Sequence, residues 1–113
     1  MRPQLGGVLE QLEGVIASRK AAATDRSYTA RLLTGGVPKI AGKVTEEAGE
    51  LVQAASSETD ERVVSEAADL LYHMLVLLAA RDLSLGDVEA ALAGRFGVSG
   101  LDEKASRTSG QQA

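Results

Sequence analysis

The chain has 113 residues, of which 12 are basic and 16 acidic, for a formal net charge of −4. This length fits one small domain, and the acidic balance excludes the clustered Lys and Arg that general nucleic-acid binding requires. The absence of cysteine excludes a disulfide framework, a thiolate zinc site and a cysteine nucleophile. Apolar residues, mostly Leu, Val and Ala, make up 44% and aromatic residues 3%, which favours packed helices over a sheet.

The N-terminal segment carries apolar residues at helical spacing, which predicts an amphipathic helix running to about Ala22. These residues are Leu5, Val8, Leu9, Leu12, Val15 and Ile16. Ser27 then provides a hydroxyl cap for a short helical turn, which Gly35 and Gly36 end. We therefore expect the chain to reverse at these glycines.

Two long helices are predicted next. Pro38 suits the first turn of a helix reaching about Ala55, and residues 56–60 are typical of a loop. With Asp60 as its N-cap, the second helix extends to about Arg81.

The last predicted helix opens with Ser84 and Asp87, which resemble a capping box, and runs to about Phe96. After Gly97 the periodicity is lost and Gly, Ser and Gln become frequent. We expect an all-α bundle of four to five helices in residues 1–97, followed by a flexible C-terminal tail in residues 98–113.

Neither a signal peptide nor a membrane span is expected. Glu10 and Glu13 interrupt the apolar pattern at the N-terminus. The longest apolar-rich stretch runs from Leu70 to Ala80, contains His73, and is too short to cross a bilayer. A cytoplasmic protein is the resulting expectation.

Five acidic residues form two short clusters, Glu46, Glu47 and Glu50 in one predicted helix, then Glu66 and Asp69 in the next. At about 100° of rotation per residue, each cluster borders the apolar stripe of its own helix. Antiparallel packing of the two helices would bring the clusters face to face across a groove. A bound dication would relieve the repulsion among these carboxylates. Ligands that are all oxygen favour Mg²⁺, with Mn²⁺ as a substitute, over zinc.

A phosphate-bearing substrate follows from this metal preference, because Mg²⁺ commonly shares its ligands with phosphate oxygens. Lys39 and Lys43 lie one turn apart, N-terminal to the glutamates, and could hold the outer phosphates. A water deprotonated by one glutamate would attack phosphorus, with pyrophosphate leaving. The chain contains no G-x-x-x-x-G-K-[ST] phosphate loop.

Each motif also has a plainer interpretation. An isolated E-x-x-E is common on helix surfaces, and the two lysines could belong to a solvated face. His73 fits either a substrate contact or a partly buried packing residue, and Tyr72 fits the core or a subunit contact better than a site. It is the pairing of E-x-x-E with E-x-x-D on the next predicted helix that favours a metal site.

Several stretches resemble the phosphoribosyl-ATP pyrophosphohydrolases, a branch of the all-α, MazG-like nucleotide pyrophosphohydrolases. They are S-Y-T at Ser27, I-A-G-K-V-T-E-E-A-G-E-L from Ile40, E-A-A-D-L-L-Y-H-M-L-V-L-L from Glu66, and S-G-L-D-E-K-A-S-R from Ser99. The resemblance covers nearly the whole chain, from about Leu5 to Arg107. It implies Mg²⁺ ligation by Glu47, Glu50, Glu66 and Asp69, with Glu46 adjoining and the catalytic base among Glu46, Glu47 and Glu50.

The resemblance also implies hydrolysis of 1-(5-phosphoribosyl)-ATP to 1-(5-phosphoribosyl)-AMP and pyrophosphate, the second step of histidine biosynthesis. It implies a homodimer, and the wide apolar surface of the helix after Asp60 agrees with that. Lys104 and Arg107 could close over the substrate's extra ribose phosphate, or they could lie in a mobile end. Two other functions stay open: a housekeeping nucleoside triphosphate pyrophosphohydrolase of the dUTP or dCTP type, and a non-enzymatic helical dimerisation module.

Overall fold

The computed structural model describes residues 7–22 and 26–96 of the chain. Within these ranges the backbone forms four helices and no strand: α1 (Gly7–Ala21), α2 (Tyr28–Ser57), α3 (Asp60–Ala80) and α4 (Leu85–Ala93). The all-α prediction is confirmed. The predicted tail, 98–113, lies outside the described residues.

Helix α2 consists of two arms that meet at Gly36. The first arm begins as predicted, with the Ser27 hydroxyl accepting a hydrogen bond from the Ala30 amide at 3.1 Å. Gly36 has φ 84° and ψ 176°, a conformation that is essentially restricted to glycine. Pro38 follows in the first turn of the second arm, where its fixed φ is compatible with a helix. The chain therefore bends where the glycine pair predicts it.

The connection from α2 to α3 is shorter than predicted. Helix α2 continues through Ser57 and leaves only residues 58–59 between the helices. The hydroxyls of Ser56 and Ser57 donate to carbonyls one turn earlier, a side-chain arrangement that is compatible with the helix. The N-cap of α3 is Thr59 and not Asp60, since the Thr59 hydroxyl accepts from the Arg62 amide at 3.3 Å. Threonine and aspartate both cap well, and Asp60 lies in the first turn, where the helix dipole favours a negative charge.

Helix α4 opens with the predicted capping box. The Ser84 hydroxyl accepts from the Asp87 amide at 3.1 Å, and the Asp87 carboxylate accepts from the Ser84 amide at 2.9 Å. The helix ends at Ala93, before the predicted Phe96, because Gly94 begins a turn closed by tighter backbone hydrogen bonds.

The hydrophobic core lies along the seam between α2 and α3, at the end farther from the connection that joins them. Its buried members are Ile16 of α1, Leu32 and Ile40 of α2, and Leu75 and Val76 of α3. Leu9 and Leu12 of α1 pack against this cluster from outside, and so does Leu85 of α4. Helix α1 thus covers the apolar part of the seam.

Three hydrogen bonds from two side chains of α1 fix this helix to residues 79–85, where α3 ends and α4 begins. The Lys20 ammonium donates to the Ala79 carbonyl at 2.6 Å and to the Asp82 carboxylate at 2.5 Å. The Glu13 carboxylate accepts from the Leu85 amide at 2.5 Å. Glu13 thereby satisfies the Leu85 amide, which lies in the first turn of α4 and has no partner within that helix. Lys20 adds a second donor to the Ala79 carbonyl, which already accepts from the Asp82 amide.

The apolar stretch of helix α3 is longer than the predicted one, which ran from Leu70 to Ala80. The 21 residues of the helix reach the length and composition of a membrane span, because Ala and Val residues before Leu70 extend the apolar stretch. The helix packs along α2 and buries Glu66 and His73, an arrangement also found in core helices of bundles.

Candidate active site

The second arm of α2 supplies three of the predicted carboxylates. Glu46 and Glu50 are exposed at the edge of the helix, whereas Glu47 points into the seam and is only 8% exposed. One oxygen from each of the three lies within 4.8 Å of the others. The E-x-x-E spacing therefore places Glu47 and Glu50 on adjoining parts of one helix face.

Helix α3 brings the other two carboxylates to the same place. Glu66 is 3% exposed, Asp69 lies at the exposed rim, and oxygens of Glu47, Glu66 and Asp69 lie within 4.8 Å of one another. Glu47 belongs to both groups of three and links them. The structure thus brings together the five acidic residues that the sequence singles out.

This cluster contains buried carboxylate oxygens that no described residue satisfies. Oε2 of Glu47 and Oε2 of Glu66 are both buried and have no hydrogen-bond partner. A side-chain hydrogen bond with Glu50 raises the pKa of Glu66 above the usual carboxyl range, and burial raises it further, whereas the charge of Arg62 lowers it. Two orphaned buried oxygens among clustered carboxylates fit a hard dication, which would supply the missing positive charge.

The two predicted phosphate-binding lysines differ in position. Lys43 is half-buried and its ammonium lies 3.4 Å from the Glu46 carboxylate, which raises the pKa of Lys43 and keeps it charged. Lys39 is exposed, and its aliphatic stem lies over Gly35 at the bend of α2. Of these two lysines, Lys43 is the one that contacts a carboxylate of the cluster.

Comparison with known proteins matches residues 9–96 to the family model described as phosphoribosyl-ATP pyrophosphohydrolase. A protein of Erythrobacter litoralis named phosphoribosyl-ATP pyrophosphatase is 56% identical over 99 residues, covering 88% of this chain and 95% of the relative. A protein of the same name from Trichlorobacter lovleyi is 55% identical over 100 residues, covering 88% and 93%. The chain belongs to the phosphoribosyl-ATP pyrophosphohydrolase family. The resemblance drawn from its motifs is confirmed, and the helices of the described ranges agree with the all-α, MazG-like fold.

The S-Y-T and Y-H stretches that pointed to this phosphoribosyl-ATP pyrophosphohydrolase branch meet in space. The Tyr28 hydroxyl lies 3.0 Å from Nε2 of His73, and the hydroxyls of Thr29 and Tyr72 are hydrogen-bonded to each other. The rings of Tyr28 and Tyr72 stack with centroids 6.2 Å apart. The bend at Gly36 makes this possible, because it lets the first arm of α2 lie against α3.

His73, predicted to bind substrate, is 5% exposed. Nδ1 donates to the Asp69 carbonyl at 2.9 Å, and Nε2 is hydrogen-bonded to the Tyr28 hydroxyl at 3.0 Å. Both ring nitrogens are therefore engaged within the chain, and the ring ties Tyr28 to the helix that carries Asp69. Tyr72 is half-buried against the core, as expected.

Two further predicted residues, Lys104 and Arg107, lie outside the described residues.

One residue of the site, Arg62, was not predicted from the sequence. Arg62 donates from Nη2 to Oε1 of Glu66 and from Nε to Oε1 of Glu58 at 3.3 Å. The signal was present, since Glu58, Arg62 and Glu66 are spaced four residues apart and so lie on one side of a helical path.

Proposed function

We propose that the protein hydrolyses 1-(5-phosphoribosyl)-ATP to 1-(5-phosphoribosyl)-AMP and pyrophosphate, the second step of histidine biosynthesis, with Mg²⁺ as cofactor. The observation that carries the proposal is the convergence of the E-x-x-E and E-x-x-D carboxylates in one site with two unpartnered buried oxygens. The names of the relatives support the substrate, since each is called a phosphoribosyl-ATP pyrophosphatase.

In this proposal Glu47, Glu50, Glu66 and Asp69 hold the ion, and Mn²⁺ can replace Mg²⁺. When bound, the ion supplies positive charge to the substrate's phosphate oxygens and to the leaving pyrophosphate. Glu47 and Glu66 provide the buried ligand oxygens, and Glu50 and Asp69 complete the set from the exposed rim.

The remaining chemistry belongs to side chains around the ligands. A carboxylate among Glu46, Glu47 and Glu50 accepts a proton from the attacking water, and Glu46 is the exposed member next to Lys43. The Lys43 ammonium, which contacts Glu46 in the absence of substrate, binds the outer phosphates of the substrate in its place. Lys39, at the bend of α2, adds a second positive charge for these phosphates. His73 keeps Tyr28 in place beside them.

The protein is further proposed to act as a homodimer. Val52 of α2 and Val64, Leu71 and Met74 of α3 are large apolar side chains left exposed. Val64 and Leu71 are two turns apart and share one side of α3, so they can form a continuous contact with a second copy. Burial of this surface between subunits explains the apolar character of α3 without a membrane, in keeping with a cytoplasmic enzyme.

Sedimentation tests the dimer. We expect a species of twice 11.7 kDa for the wild type and a shift toward monomer for Leu71→Lys. An 11.7 kDa species alone at working concentrations of the wild type would contradict the dimer.

One assay tests the activity. Purified protein with Mg²⁺ is offered phosphoribosyl-ATP, ATP and dUTP in parallel, and pyrophosphate release is measured. Phosphoribosyl-ATP should be the preferred substrate. Preference for dUTP would favour the housekeeping enzyme, and release from none of the three would favour the non-enzymatic module.

Two isosteric variants connect this activity with the carboxylates. Glu50→Gln and Asp69→Asn each remove a ligand charge with almost no change in volume, so both should abolish turnover while preserving helicity. Full activity in both variants would refute the metal assignment.

A further inference from the structure

Arg62 links the α2–α3 connection to the carboxylate cluster. It lies in the first turn of α3, where its backbone amide is held by the Thr59 hydroxyl at 3.3 Å. Its guanidinium then bonds two carboxylates on either side, Glu58 in the connection and Glu66 in the cluster. With two fixed donors, the planar guanidinium holds Glu66 in a defined orientation.

The hydrogen bond from Arg62 makes the two carboxylate oxygens of Glu66 different from each other. Oε1 accepts the hydrogen bond from Arg62, whereas Oε2 is buried and has no partner. Oε2 of Glu47 is buried and unpartnered as well, and oxygens of these two residues lie within 4.8 Å of each other. The terminal torsion of a glutamate is broad, so without Arg62 the carboxylate could rotate toward other donors.

Arg62 also places a positive charge near a site proposed for a dication. The two side chains differ strongly in exposure, however: 53% for Arg62 and 4% for Glu66. Solvent therefore screens much of the arginine's charge, while the orientation it imposes acts on a carboxylate that is almost fully buried. We therefore expect the orienting effect to exceed the repulsion.

We infer that Arg62 is a positioning residue for the metal site: held by Glu58, it occupies Oε1 of Glu66 and directs Oε2 toward the ion. The inference rests on the proposed function, because it assumes that Glu66 is a ligand. It gives a role to an arginine that does not itself touch the ion, in the way that outer hydrogen-bond partners commonly orient metal ligands.

Direct measurement of Mn²⁺ binding to the metal-free protein, by the loss of the free-ion paramagnetic resonance signal, tests this without using activity. Arg62→Gln should bind Mn²⁺ about 10- to 100-fold more weakly than the wild type. Arg62→Lys keeps the charge but loses the planar fork, and should recover only part of this loss. Glu58→Ala removes the outer support and should weaken binding less than Arg62→Gln does.

Arg81→Gln is the matched control, because Arg81 is an exposed arginine at the end of the same helix. It should bind Mn²⁺ like the wild type. At the temperature of the binding assay, circular dichroism should give the same helix content for Arg62→Gln and Arg81→Gln, which separates lost orientation from lost folding. Arg62→Gln should melt at a lower temperature than Arg81→Gln, because it leaves a buried carboxylate without its donor.

The outcomes distinguish this inference from the function on which it rests. Binding by Arg62→Gln that equals or exceeds the wild type would overturn the inference and show that charge repulsion governs, with the metal site intact. Wild-type affinity in Arg62→Lys would also overturn it, because charge alone would then suffice. No Mn²⁺ binding by the wild type would refute the metal site and the inference together.

Discussion

The seam between α2 and α3 has two ends that differ in what they bury. At the end farther from the connection, Ile40 of α2 and Val76 of α3 are fully buried in an apolar cluster that α1 covers. Toward the two-residue connection, Glu47 and Glu66 are buried instead, each with one oxygen unpartnered. Burial stabilises the first end and destabilises the second. The apolar end therefore supplies the stability that offsets the cost of burying carboxylates at the other end.

The largest effect on stability should come from truncation at the apolar end. Ile40→Ala removes a side chain with no exposed surface and leaves a cavity, so the free energy of unfolding should fall by about 2–5 kcal/mol. Urea denaturation followed by circular dichroism measures it. Gln53→Ala, at an exposed position of the same helix arm, should change it by less than about 0.5 kcal/mol. A loss below about 1 kcal/mol at Ile40 would mean that this end does not carry the fold.

A slightly smaller effect should come from a cation at the carboxylate end. Mg²⁺ or Mn²⁺ at about 100 times its dissociation constant should raise the free energy of unfolding by about 2.7 kcal/mol. Thermal melts with and without the ion measure the gain. Ile40→Ala should keep this gain and Asp69→Asn should lose it, because only the latter changes a proposed ligand. Equal gains in both variants would indicate that the ion binds elsewhere.

Removing one buried charge should then have opposite effects with and without the ion. Glu47→Gln keeps the side-chain volume but relieves an unpaired buried charge, so the metal-free protein should gain about 1 kcal/mol. In saturating Mg²⁺ the same variant should be less stable than the wild type. Glu89→Gln, an exposed position on α4, serves as the control in the same denaturation series. Destabilisation of the metal-free protein by Glu47→Gln would show that this carboxylate already has a compensating partner.

The smallest effect concerns the exposed ion pair that ties α1 to the end of α3. Lys20 lowers the pKa of Asp82 below its ordinary 3.8, so the pair stabilises the folded state above that pH. The stabilisation is lost as the pH falls through the lowered pKa. The melting temperature of Asp82→Asn should therefore lie slightly below the wild type at neutral pH and approach it below pH 3.8. A difference that persists at lower pH would rule out the ion pair as its cause.

Local signals in the sequence predicted much of the fold. The hydroxyl of Ser27, the glycine pair before Pro38 and the Ser84–Asp87 capping box each act within a few residues, and each is present in the structure. The prediction of Asp60 as the N-cap of α3 was wrong, because the preceding Thr59 is also a good capping residue and only the backbone angles separate the two positions. The end of α4 was missed for a related reason, since helix ends depend on weak terminal hydrogen bonds.

The candidate site was predicted where helical periodicity decides the geometry. The convergence of the E-x-x-E and E-x-x-D carboxylates follows from two amphipathic helices packed antiparallel, and the structure has it. The partners of His73 and the different directions of Lys39 and Lys43 depend on the bend of α2 and on side-chain conformation, which spacing does not determine. The roles of these residues in substrate binding remain predictions.

The bend at Gly36 fixes the distance between Tyr28 and the carboxylates of α2, and so bears on the length of substrate that could contact both. The aromatic contacts of Tyr28 belong to the first arm of α2, and Glu46, Glu47 and Glu50 belong to the second, so the separation between them depends on the backbone angles of Gly36. A substrate that contacts both Tyr28 and these carboxylates would have to match a distance that depends on the positive φ of Gly36. Any side chain at position 36 would disfavour that angle, and with it the spacing between the two halves of the site.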